Sequence, residues 1–180
     1  MQTRPRAVHG FTLLELIVVI SIIGVLGVML SERLQRYAEF AEKTSMEYTA
    51  NIINSGLLFE FAHRLTQGGR GSIADLVNIN PVQWLAQKPT NYLGEFRDPP
   101  AGEEYAGNWY YDAARNELVY LIKRGDNFQA GADGKKHVRY RVKLLYDEAE
   151  QGAPKSLVGA ILTPVERYKW FSEPGSRPDS

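Results

Sequence analysis

The sequence predicts an α+β protein, in which a long N-terminal α-helix, membrane-spanning in its first half, packs on a small antiparallel β-sheet. Three observations predict it. Residues 11–30 form an apolar run broken by a single carboxylate. Beyond Leu30 there is no glycine before Gly56 and no proline before Pro81, so no residue there stops a helix. Farther on, His137–Tyr146 alternates apolar and basic residues with the period of two of a half-buried strand.

Phe11 to Leu30 covers twenty residues, about 30 Å as a helix, which matches a bilayer core. Fourteen of them are Phe, Leu, Ile or Val. Together they favour insertion by about 6 kcal/mol, whereas Glu15 costs at most about 3 kcal/mol and less near the membrane edge. Insertion wins despite the charge. A secretory signal peptide would carry a shorter core without an acid and end at a small-x-small site. Val25-Leu26-Gly27 is a passable match inside the run, so a removed signal peptide and an ordinary signal anchor remain alternative readings.

The order Gly10-Phe11-Thr12-Leu13-Leu14-Glu15-Leu16 follows a short basic leader with Arg4 and Arg6. This arrangement resembles the processing and anchoring signal of type IV prepilins and of the pseudopilins of type II secretion. The resemblance implies that a membrane aspartyl peptidase, the prepilin peptidase, cuts between Gly10 and Phe11 and methylates the new amine of Phe11. It also implies that Glu15 registers an incoming subunit against the terminal amine of one already in a filament. On physical grounds, an amine on Phe11 would lie one helical turn from Glu15 and could pair with it in the same subunit or in a neighbour. Either pairing lowers the cost of both charges. An acid in the first turn also suits the positive end of the helix dipole, and snorkelling to the headgroups is the plain alternative.

Family resemblance further implies a pilin-like lollipop shape. The implied partners are other pilin or pseudopilin subunits, the peptidase and an inner-membrane assembly platform. The implied location is a single pass of the inner membrane, N-terminus cytoplasmic and head periplasmic, and later a periplasmic or extracellular filament. Charge counting does not fix this orientation, because Arg33, Arg36 and Lys43 follow the span. The expected function is therefore structural: a pseudopilin or minor pilin serving protein secretion or pilus biogenesis. The competing expectation is an anchored periplasmic module that binds a ligand or DNA without assembling. The chain has no cysteine, which excludes disulfides and thiol chemistry and tilts the reading toward the secretion branch. Glu15 argues against a tip subunit, since the tip pseudopilin commonly lacks the acid.

The helix is expected to continue to about Leu65, with Leu34, Tyr37, Ala38, Ala41, Ser45, Tyr48, Ile52, Gly56, Phe59 and Ala62 as the stripe that docks on the head. Glu32, Arg36, Glu39, Lys43 and Glu47 fall largely off that stripe. The stretch 67–72 is a glycine-rich stop. Gly24 and Gly27 permit either close helix packing or local melting in a fibre. Where many pilins have a proline after this region, Glu32 stands here.

Five segments follow: a cleaved leader (1–10), the transmembrane half (11–30), the amphipathic half (31–66), a globular head (67–171) and a flexible tail (172–180). Nearly all aromatic residues lie beyond the apolar run, so the head is a folded one. It is expected to hold a short helix over 72–77, a turn at Asn80-Pro81, and a Pro- and Gly-rich loop over 87–107. Strands are expected at 107–112, 117–123, 137–146 and 157–162. On the third of these, Val138, Tyr140, Val142, Leu144 and Tyr146 share the core face.

Three histidines with no metal spacing and no nucleophile–base pair give no sign of an enzyme or a cofactor. Two weaker sites arise in the head. Asp126, Asn127 and Asp133 supply oxygen ligands for calcium. The stretch 131–134 resembles part of the calcium loop of the major secretion pseudopilin, although a plain turn uses the same residues. Lys135, Lys136, Arg139, Arg141 and Lys143 form a basic stripe suited to DNA phosphates. A net charge of zero argues against nucleic acid, and a solvated strand face is the simpler reading.

Overall fold

The computed structural model describes residues 12–66, 73–100, 102–131, 133–147 and 156–171. Leader residues 1–10, Phe11, the glycine-rich stretch 67–72 and the tail 172–180 lie outside them. The chain divides into two compact units, up to Ala38 and from Glu39. Helix α1, Leu13–Thr66, is continuous across the boundary. In the first unit it is exposed along almost its whole length, including all the large apolar residues of Leu13–Leu30.

In the second unit, the α+β class follows from one sheet and the helix that covers it. The sheet has five strands: β1 (Tyr92–Phe96), β2 (Trp109–Asp112), β3 (Glu117–Leu121), β5 (His137–Tyr146) and β6 (Leu157–Pro164), in the spatial order β1-β2-β3-β5-β6. Strands β4 (Phe128–Gln129) and β7 (Lys169–Trp170) form a separate ribbon. β2, β3, β5 and β6 pair antiparallel in sequence order.

The sheet is mixed, not wholly antiparallel, because β1 adds to β2 in parallel. β1 falls inside the stretch expected to be a loop. Gly94, at φ +117°, leaves an inward position without a side chain, and the register shifts between Tyr92 and Glu95, so the strand leaves little trace in the residue pattern. The expected short helix is a 3-10 turn at Asp75–Asn78, and a second 3-10 turn, Pro81–Trp84, follows. Asn80 caps the second, its Oδ1 accepting from the Val82 N–H at 3.0 Å. On β5, Val138, Tyr140 and Val142 are buried and Leu144 half-buried, but Tyr146 is exposed beyond a register shift at Leu145/Tyr146.

The helix docks by a face other than the expected one. Its buried residues are Glu39, Glu42, Met46, Ala50, Ile53, Leu57 and Phe61, spaced three or four apart. Tyr48 and Phe59, from the stripe expected to dock, are 66% and 76% exposed. The apolar residues of the docked face, Met46 to Phe61, share one core with Ile73, Leu76 and Val82 and the sheet residues Trp109, Leu118, Tyr140 and Leu162. Trp109 is fully buried, with ring centroids of Tyr120 and Tyr140 at 5.0 and 5.8 Å.

Two buried tyrosines, on opposite faces of β2, make the fold sensitive to alkali. Burial, reinforced by Asp112 for Tyr110 and by Glu95 for Tyr111, pushes both hydroxyls up to about 12. In the unfolded chain they ionise near pH ~10, so above that pH the unfolded state binds fewer protons and stability falls. The loss is expected to reach about 1.4 kcal/mol per pH unit for each tyrosine until the folded value is passed. Tyrosinate absorbance should rise together with unfolding. A rise at the free-tyrosine pH with the fold intact would contradict this.

Candidate functional site

The N-terminal site is built on the first turn of α1. Thr12 precedes the helix, and its Oγ1 accepts the Glu15 backbone N–H at 3.2 Å. The Thr12 carbonyl accepts the first intrahelical bond, from Leu16 N–H at 3.1 Å. Thr12 is thus the N-cap and Glu15 the third helical residue, the spacing of a capping box. Thr12-Leu13-Leu14-Glu15 carries that spacing in the sequence, although a cap is not among the features expected above. Glu15 is exposed, as are Leu13, Leu14, Leu16 and Ile17 around it. A carboxylate in the first turn faces the positive end of the helix dipole. Gly10 and Phe11 lie outside the described residues.

One helix among the described residues is long and apolar enough to cross a membrane, and none of its apolar window is buried. A core helix of a soluble protein would bury that surface. Residues 5–31 match the family described as the prokaryotic N-terminal methylation motif. The chain carries a prepilin-type N-terminus. The matched motif is the hallmark of type IV prepilin-like proteins, and it takes in the second half of the leader with Arg6, Glu15 and the apolar run. No curated protein and no solved structure matches the chain.

A second constellation, on the head, fixes the docked part of α1. The Glu39 carboxylate accepts from the Asn127 N–H at 2.9 Å, the Asn127 Nδ2 at 2.7 Å and the Trp170 Nε1 at 2.9 Å. Glu42 accepts from the Tyr120 hydroxyl at 3.1 Å and from the backbone N–H groups of Lys123 at 2.7 Å and Arg124 at 2.9 Å. Burial and the Glu42 carboxylate push the Tyr120 hydroxyl well above its usual range. Farther along, Glu47 accepts from the Tyr168 hydroxyl and Asn54 from the Leu162 N–H. Glu39 and Glu42 are 2% and 9% exposed. Hydropathy assigns them to solvent. Burial succeeds because each charge meets three donors, which offsets its desolvation.

The calcium and DNA residues are placed as follows. Asn127 spends its side-chain amide on Glu39, Asp126 is exposed, and Asp133 accepts from the Lys135 N–H and pairs with His137 Nε2 at 3.1 Å. Among the described residues no three His, Asp or Glu side chains are placed to hold a metal ion. Burial, with Arg139 and Lys135 adding to it, outweighs Asp133 and lowers the His137 pKa, so the ring is neutral at pH ~7 and donates to Asp133. In the basic stripe, Arg141 and Arg139 both reach the fully buried Glu117, at 2.5 and 3.5 Å, and Arg139 also pairs with Glu166. Lys135, Lys136 and Lys143 are exposed.

Proposed function

We propose that the chain is the precursor of a structural filament subunit, a pseudopilin or minor type IV pilin. The methylation motif at residues 5–31 carries this reading. In it, prepilin peptidase cuts between Gly10 and Phe11 and methylates Phe11. The subunit then waits in the inner membrane, N-terminus cytoplasmic and head periplasmic, until an assembly platform adds it to other subunits. Glu15 is the registering charge, pairing with the amine of a neighbour.

The outward face of α1 supports assembly. Tyr48, Ile52 and Phe59 form an uncovered apolar stripe on the side of the helix opposite its docked face, at 66%, 41% and 76% exposure. An amphipathic helix normally has one apolar face, and this one has two. The second face suits the helices of neighbouring subunits.

The intact mass of membrane-extracted protein tests the reading. The expected mass is that of a chain beginning at Phe11 with a single added methyl. An anchored binding module that does not assemble would keep residues 1–10, and that result would remove the proposal.

A further inference from the structure

On the sheet face away from α1 lies a groove of about 340 Å³. Tyr110 and Val119 pair across β2 and β3 on this face, and both are part of the groove lining with Leu121. Pro99 and Pro100 contribute to it from the loop after β1, and Lys135 from the loop before β5. Tyr110 is 4% exposed and Val119 1%, although neither belongs to the core under the helix.

An inventory of hydrogen-bonding groups in the groove is one-sided. Its acids are already engaged. Asp112 accepts from the Ala114 and Arg115 N–H groups at 2.9 and 3.1 Å, Asp133 is held by Lys135 N–H and His137, and Glu166 by Arg139. Two donors are not. The Tyr110 hydroxyl has no hydrogen-bond partner and the Lys135 ammonium no ion pair among the described residues. No fully buried side-chain polar atom among them lacks a partner, so the Tyr110 hydroxyl is not sealed in: it opens on the groove. A hydroxyl pushed up to about 12 stays protonated and can only be useful to a ligand as a donor or a neutral acceptor. Arg115 adds a further cation, 63% exposed and 3.4 Å from Asp112.

Open donors above an apolar floor call for an acceptor on an apolar body. We propose that this groove binds a small carboxylate, its charged end on the Tyr110 hydroxyl and the Lys135 ammonium and its apolar body against Leu121 and the Pro99-Pro100 wall. The volume is at the low end of ligand pockets, the size for one or two amino-acid residues. The carboxylate can belong to a free small acid or to the C-terminus of a peptide. This site does not depend on filament assembly.

The test uses the full chain in nonionic detergent micelles, with backbone amide resonances followed by NMR. The probes are N-acetylphenylalanine, its carboxamide, and an acetylated tetrapeptide ending in phenylalanine with a free carboxylate. Empty micelles control for partitioning. The carboxylate probes are expected to shift the amides of Tyr110, Val119 and Lys135, with the carboxamide binding at least about tenfold more weakly. Tyr110→Phe should weaken binding about fivefold without lowering the melting temperature, because the hydroxyl has no internal partner to lose. Lys135→Gln should weaken it about threefold and remove its salt dependence. Tighter binding of the peptide assigns the groove to a chain terminus, and equal binding assigns it to a free acid. Absent shifts, or a carboxamide that binds as well as the acid, would overturn the proposal. A melting temperature lowered by Tyr110→Phe would do the same, by showing that the hydroxyl serves the fold.

Discussion

Glu15→Ala is expected to insert and lose its leader normally while entering filaments at least about tenfold less, a loss equal to about 1.4 kcal/mol or more of pairing energy. Insertion should improve, since the change removes a cost of up to about 3 kcal/mol. The helix start should survive as well. Thr12 caps the backbone N–H of residue 15, not its side chain, so alanine keeps that bond. Failure to assemble would then report the missing charge and not a frayed helix. Glu15→Gln sharpens the test, because it keeps the shape and polarity and loses only the charge. Normal incorporation of the glutamine variant, measured by cross-linking or sedimentation of sheared filaments, would end the registering role of Glu15.

The second large effect lies at Glu42. Glu42→Ala strands the Lys123 and Arg124 N–H groups and the Tyr120 hydroxyl. Unsatisfied buried donors cost about 1–3 kcal/mol each, so a destabilisation of about 3–5 kcal/mol is expected after partial rehydration. Glu42→Gln keeps an acceptor oxygen but turns an amide NH₂ toward one donor, and should cost about 1–2 kcal/mol. Chemical denaturation measures both. Hydrogen exchange gives the location: the amides of residues 123–127 should lose protection first in the alanine variant. A loss below about 1 kcal/mol with those amides still protected would show that the carboxylate contributes little.

What could be read from the residues follows the strength of local periodicity. The long helix announces itself through an uninterrupted run without proline, and β5 through the alternation of Val138, Arg139, Tyr140, Arg141 and Val142. β1 does not, because a glycine bulge occupies its centre. The docked face of α1 is hidden in the sequence for a different reason. Both sides of the helix carry apolar residues, and the side that docks opens with two glutamates. Hydropathy gives such residues the cost of an unpaired charge. It has no knowledge that Tyr120 on β3, the loop after it and Trp170 bring six donors to Glu39 and Glu42. Likewise, Trp-Tyr-Tyr-Asp on β2 is buried on both faces, so alternation could not separate Trp109 from Tyr110. At the N-terminus the pattern was most legible, since glycine, a capping threonine, an early acid and an apolar run are contiguous in the chain.

The two acids that fasten α1 also decide how that attachment gives way under tension. Greasy helix faces tolerate gradual creep, since one methyl group replaces another at little loss. Carboxylates matched to fixed backbone amides tolerate none: a displacement by one helical turn, about 5.4 Å, would leave two charges facing nothing. Pulled along its axis, the rod therefore holds its position in the head until the load breaks all six bonds, and then releases abruptly. It behaves as a shear pin.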